Sequence, residues 1–160
     1  KMIDKANDNE SNYGASVYAT KQIVDTTAVT QALNLIFDRK FVAVAWSNSN
    51  KAAYSTNGIT WTAATLPSNA GWGGVTDGDG KFVTSAGTSN KAAYSTNCIN
   101  WTETVLPCIA EWRSVTYGNG KFVVVARNNS KAAYSTDGIN WTAATLPSIA
   151  NWYGVTYGGR

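Results

Sequence analysis

Residues 51–70 recur at 131–150 with only three substitutions, and a third version of the same segment begins between them at Lys91. Repetition of that length and fidelity demands three structural units of one kind, each too small to bury a core alone and each packed on its neighbours. The copies align without effort. Lys-Phe-Val starts at Lys40, Lys81 and Lys121, Lys-Ala-Ala-Tyr-Ser-Thr at Lys51, Lys91 and Lys131, and Trp-Thr at Trp61, Trp101 and Trp141. Leu66, Leu106 and Leu146 each precede a proline, a second tryptophan follows at Trp72, Trp112 and Trp152, and Gly78-Asp79-Gly80 or Gly118-Asn119-Gly120 returns the chain to the next copy. The loop Trp46-Ser47-Asn48-Ser49-Asn50 is one residue longer than Gly87-Thr88-Ser89-Asn90 or Arg127-Asn128-Asn129-Ser130. That loop tolerates insertion.

Within a copy, residues 112–117, 122–126, 132–136 and 139–145 are rich in Val, Tyr, Trp and Thr, with Gly, Asn, Asp or Pro at every junction. This pattern predicts four short strands joined by successive antiparallel hairpins, and no stretch carries a helical period. The run Phe122-Val123-Val124-Val125-Ala126 is apolar on both faces and is expected to be buried on both, whereas 131–136 and 139–145 mix polar and apolar positions as outer strands do. The fold class predicted is all-β, a β-propeller-type array of four-stranded antiparallel blades, since radially stacked sheets of this kind repeat every ~40–45 residues. Three full repeats are expected, with partial blades at both ends, and with boundaries at 34–71, 72–111, 112–151 and the start of another at 152–160.

The turn between third and fourth strands narrows the reading. Ser135-Thr136-Asp137-Gly138-Ile139-Asn140-Trp141 resembles the Asp-box (BNR-like) motif of sialidase-like and other bacterial and viral propellers, including phage tail and surface proteins, and the resemblance runs from Lys40 to the end of the chain. It implies that the acidic side chain closes the hairpin on backbone N–H groups, that the glycine takes positive φ and that the tryptophan packs between blades, consistent with Asx-turn chemistry. The structural turn positions are then Ser55, Asn57, Gly58 and Trp61; Ser95, Asn97 and Trp101; and Ser135, Asp137, Gly138 and Trp141. Two copies carry Asn for Asp. The second copy has Cys98 where glycine belongs, which is expected to strain the turn or to force a different one.

Residues 1–33 read as a linker or docking segment. Residues 17–26 can also be laid over 133–142 with Tyr18, Thr20, Ile23 and Thr26 in register, as a degenerate half-blade. Propellers usually close with roughly four to eight blades, so three copies leave bare edges that further blades must cover, either from the same polypeptide or from a homo-oligomer. The net charge of +3 is spread over the repeats, and its lysines read as strand-edge groups that keep the array soluble rather than as a nucleic-acid surface. No membrane-inserting or targeting segment is evident. Cys98 and Cys108, at about 3.3 Å per strand residue, would lie roughly 30 Å apart and so could not pair within one blade. Unbridged thiols suit a protein folded in a reducing compartment and released later, and the expected location is a virion, the extracellular space or a cell surface.

The chain has no histidine, so a Ser-His-Asp arrangement and a His-based metal site are unavailable, and no cofactor is expected. A sialidase-like hydrolase would need an arginine triad and paired carboxylates in one unique site, which near-identical repeats supply poorly. Function is therefore sought where the copies disagree. The second-to-third-strand loops and the approaches to the first strands (Gly71-Trp72-Gly73, Glu111-Trp112-Arg113, Asn151-Trp152-Tyr153) should emerge on one face. Aromatic rings flanked by Asn, Ser or Arg suit sugar recognition, so the candidate ligand-binding residues are Trp46, Trp72, Trp112, Arg113, Arg127, Trp152 and Tyr153; the competing reading places Trp72, Trp112 and Trp152 in the core. The functions expected are a non-enzymatic, multivalent module for cell-surface glycan in a phage tail fibre or adhesin, alternatively a structural virion or filament scaffold contacting other virion or surface proteins, or a fragment of a glycoside hydrolase.

Overall fold

The computed structural model describes residues 40–159, and the readings made for residues 1–39 fall outside the described residues. Seven strands form an antiparallel meander in chain order: β1 (Phe41–Val44), β2 (Ser49–Ser55), β3 (Thr62–Gly78), β4 (Lys81–Ser95), β5 (Thr102–Gly118), β6 (Lys121–Ser135) and β7 (Thr142–Asn151). The long elements are the short strands expected from the sequence, joined in pairs. Residues 62–70 of β3 pair with β2 and residues 71–78 pair with β4, so β3 contains the last strand of one copy and the first strand of the next. β5 changes partner in the same way at Ala110 and Glu111.

β4 and β6 hold the second and third strands of their copies. In the first copy these are separate, β1 and β2, paired from Phe41↔Ser55 to Val44↔Ala52. In the third copy packing reveals the fold-back: the Phe122 ring, at the start of β6, comes within 3.2 Å of a Cβ built on Gly138, beyond the other end of that element. Thirteen extended residues from Phe122 to Ser135 would instead span about 43 Å. The reversal is made in left-handed backbone at Thr88 and Asn128, and at Ser47 and Asn48 in the longer first-copy loop. Each complete copy is thus a four-stranded antiparallel sheet. The first-to-second-strand hairpins turn on Asp79-Gly80 and Asn119-Gly120, both residues of each pair at positive φ, as a two-residue type I′ turn requires.

The core lies between copies. Leu66 and Ala70 of one copy pack in a cluster with Trp72, Ala86, Ala93 and Trp101 of the next, and Leu106 and Ala110 pack with Trp112, Phe122, Val124, Ala126 and Ala133. Phe122, Val124, Val125 and Ala126 are all buried, as a run apolar on both faces should be. Close approach at the inner strands depends on two glycines: a Cβ on Gly78 would overlap the Tyr117 ring, and one on Gly118 would overlap the Tyr157 ring. The repeated lysines act here too. Lys91 Nζ donates to Ser68 Oγ of the preceding copy at 2.9 Å, and Lys131 Nζ to the carbonyl of Ile109 at 3.3 Å, so these side chains staple neighbours instead of only solvating an edge.

The third-to-fourth-strand turns are built alike. Ser135 Oγ accepts the N–H groups of Asp137 and Gly138, while Asp137 Oδ1 accepts those of Ile139 and Asn140 at 2.8 Å each. Asn57 and Asn97 present an amide oxygen to the same two amides in their own copies. Those amides are taken from the ladder, so residues 139–141, expected in the fourth strand, belong to the turn and β7 starts at Thr142. Cys98 keeps the same turn at φ 67, close to the 73 of Gly58 and Gly138, so the strained alternative is the one adopted. Cys98 and Cys108 are not bridged.

Two outcomes follow from these turns. Gly138→Ala adds a Cβ 2.9 Å from Val83 Cγ2 at positive φ and should cost roughly 2–4 kcal/mol. Gly58→Ala, 3.5 Å from Phe41, should cost only about 1 kcal/mol; denaturant midpoints distinguish the two. The N–H of Asn140, its side-chain amide, the N–H of Ile139 and the Ser135 hydroxyl hold the Asp137 carboxyl well below the usual carboxylate range. A carboxyl lowered on folding stabilises above its unfolded value, near ~3.9, and that contribution is lost as pH falls toward the folded value. Melting curves taken from pH 5 to 2 should therefore fall less steeply for Asp137→Asn than for the unmodified chain.

Candidate functional site

Two alignment columns diverge strongly between the copies, and they meet in space. The first holds Trp46, Gly87 and Arg127; the second holds Gly73, Arg113 and Tyr153. Their loops lie together on one face, since Gly87 pairs with both Gly71 and Glu111, and Arg127 with both Glu111 and Asn151. The serine-closed turns occupy the other ends of the same strands. Three copies therefore contribute to a single surface.

Trp46 fits because its neighbours have no side chain. Its benzo edge reaches within 3.4 Å of a Cβ built on Gly71 and 3.5 Å of one on Gly73, and a Cβ on Gly87 would lie 2.5 Å from it. The Arg113 guanidinium covers the indole, 3.9 Å from the ring centroid, and also lies 5.8 Å from the Tyr153 ring. Trp46 nevertheless remains 42% exposed. Its exposed part lines a cleft of about 390 Å³ together with Asn48, Asn69, Thr88, Ser89 and Lys91. An aromatic wall with amides, hydroxyls and one ammonium group suits a polar ligand that carries an apolar face.

Beside the cleft, Glu111 gathers the cations. Its carboxylate pairs with Arg127 Nε at 2.7 Å and Arg113 Nη2 at 3.4 Å, and accepts Asn128 Nδ2 at 3.1 Å. Arg127 donates to the Tyr153 hydroxyl at 2.8 Å, and that bond, followed by the charge of Glu111, holds its guanidinium above the ordinary value against desolvation. Tyr153 itself is 57% exposed. The second acid, Glu103, accepts Ser68 Oγ at 2.6 Å and pairs with Lys91 at 3.3 Å. Both carboxylates are thus engaged by neighbouring cations and hydrogen-bond donors.

Of the residues singled out from the sequence, Trp46, Arg113, Arg127 and Tyr153 come together here. Trp72 and Trp112 do not: both are fully buried, and each indole N–H donates to the carbonyl four residues earlier, Ser68 or Cys108. They offer no face to a ligand because each is enclosed in the junction between two copies. Trp152 makes the equivalent bond to Ser148 and is half-buried. Glu111, Asn48, Asn69, Gly71, Gly87 and Thr88 escaped the sequence reading as site residues. Glu111 lies two residues before Arg113 in the variable segment and could have been found by its charge; the glycines could be found only as room for Trp46.

No family model matches the chain, and no curated protein matches it. Solved structures do. Virginiamycin B lyase from Staphylococcus aureus is 22% identical over 69% of this chain and 39% of its own, with a TM-score of 0.61. A streptogramin B lyase structure is 18% identical over 62% and 35%, at 0.55. YCF48 bound to D1 peptide is 19% identical over 67% and 36%, at 0.54. These are β-propeller proteins, and the chain has their fold, as its repeat period predicts. It spans less than two fifths of the length of each.

The Glu111 cluster carries stability as well as shape. Glu111→Ala leaves Arg113 and Arg127 without their counter-charge and should cost about 1–2 kcal/mol, whereas Glu103→Ala, in a more exposed pair, should cost less than ~1 kcal/mol. Urea unfolding at low and high salt reads both.

Proposed function

We propose that this chain is a non-enzymatic recognition module of Asp-box type whose ligand is a cell-surface glycan, serving in a phage tail fibre, other virion surface or adhesin. The observation that carries this reading is the cleft walled by Trp46, with Asn48, Asn69, Thr88 and Ser89 around it. A pyranose ring stacks its apolar face on an indole while its hydroxyls bond to amides and hydroxyl groups. The serine-closed turns with Asn or Asp at one position support the Asp-box assignment. Both strand-borne glutamates pair with cations of this face, an arrangement that supports a binding surface over a glycoside hydrolase, which needs two carboxylates at a fixed separation across the bond to be cut. Trp46 and the extra loop residue occur in one copy only, so the site is single within the described residues and not a set of equal repeats.

Glycan-array screening followed by calorimetric titration tests the reading. Trp46→Ala should weaken the selected glycan at least tenfold, or about 1.4 kcal/mol, whereas Trp61→Ala on the opposite face should leave it unchanged. No array signal, or equal binding by both variants, would count against it and favour a purely structural scaffold.

A further inference from the structure

The array carries one interface twice and exposes both of its halves. At the two described junctions Leu66 and Leu106 of the covered copy are 2% and 1% exposed, and Trp72 and Trp112, which begin the following copy, are fully enclosed. After the third copy the same positions, Leu146 and Trp152, are only half-buried, and Ile149 is exposed. The covering half is equally clear. Phe122 is completely buried and Phe82 packs against the Leu66 cluster, yet their first-copy counterpart Phe41 is 57% exposed. Trp61 is exposed where Trp101 is buried. Lys51 is the first-copy counterpart of Lys91 and Lys131, which reach back to Ser68 and the Ile109 carbonyl of the preceding copy.

We infer that the outward face of the third copy is an interface for the first copy of a second chain. The reason is continuity with an interface already present: residues 131–150 differ from 51–70 at three positions, so the face around Leu146 is nearly the surface that the second copy covers on the first. Phe41 and Trp61 of the second chain take the places of Phe82 and Trp101, and its Lys51 comes within reach of Ser148. The contact is heterologous, joining one face to a different one. Used twice, it makes a closed dimer whose six copies fall within the range of roughly four to eight that propellers close with.

Native mass spectrometry and light scattering on the 160-residue chain should read twice the mass of one chain, falling to one on dilution. Leu146→Glu and Phe41→Glu each alter an accessible side chain, and circular dichroism should show both variants folded. Each alone should be monomeric. Mixing them should restore a dimer, because the intact Phe41 face of one meets the intact Leu146 face of the other, and Lys51→Ala should weaken association less than either. A monomer at every concentration of the unmodified chain would overturn the inference and leave the face to a further repeat of the same polypeptide. Dimers that survive both variants, or a mixture that stays monomeric, would overturn it as well.

Discussion

A sheet of four short strands cannot bury its own faces, and the structure depends on how each copy solves that problem with the next. Leu66 and Ala70 are apolar because Trp72, Ala86, Ala93 and Trp101 lie against them, and the same arrangement recurs one copy later. Burying a leucine and an indole removes a few kcal/mol of unfavourable hydration per junction, roughly 1.5–3 for each large side chain. Every other device serves that contact. Gly78 and Gly118 let Tyr117 and Tyr157 approach the inner strands, Lys91 and Lys131 tie the outer strands across the junction, and the tryptophan N–H groups find carbonyls on their own chain, so that no donor is buried without a partner at Trp72 and Trp112.

Most of this fold was legible in the residues because repetition magnifies weak signals. One alternating segment such as 132–136 says little alone, but three copies bounded by the same punctuation fix four strands per unit. The turn chemistry was legible for a different reason. Ser, Asn or Asp, and Gly at fixed offsets have a local mechanism that needs no tertiary information, and the hydrogen bonds of Ser135 and Asp137 follow it. The boundary error at Ile139–Trp141 has the same source: a side-chain acceptor that removes two amides from a ladder shortens the strand beyond it, and no propensity scale records that. Cys98 was legible only as a conflict, and the neighbours decided it.

The candidate site was read less completely, and the reasons are geometric. Variation between copies pointed to the correct face and to Trp46, Arg113, Arg127 and Tyr153. It could not separate tryptophans that line a surface from tryptophans that fill a junction, because Trp72 and Trp112 share with Trp46 the same polar and small neighbours in sequence. Burial at the junction between copies separates them. Nor could sequence show that a residue of the first copy is stacked by an arginine of the third, since that contact crosses the whole second copy at Gly73 and Gly87.

The extra residue in the first loop has a consequence for how such an array acquires a purpose. A ladder fixes its register through paired strands, so lengthening the chain where it reverses, at Ser47 and Asn48 in left-handed backbone, leaves every rung in place. Duplication supplies interchangeable parts that keep one another folded, and a single lengthened bend can then be remodelled while its siblings hold the frame. The divergence that builds the candidate site lies at the rim, where novelty is structurally cheap.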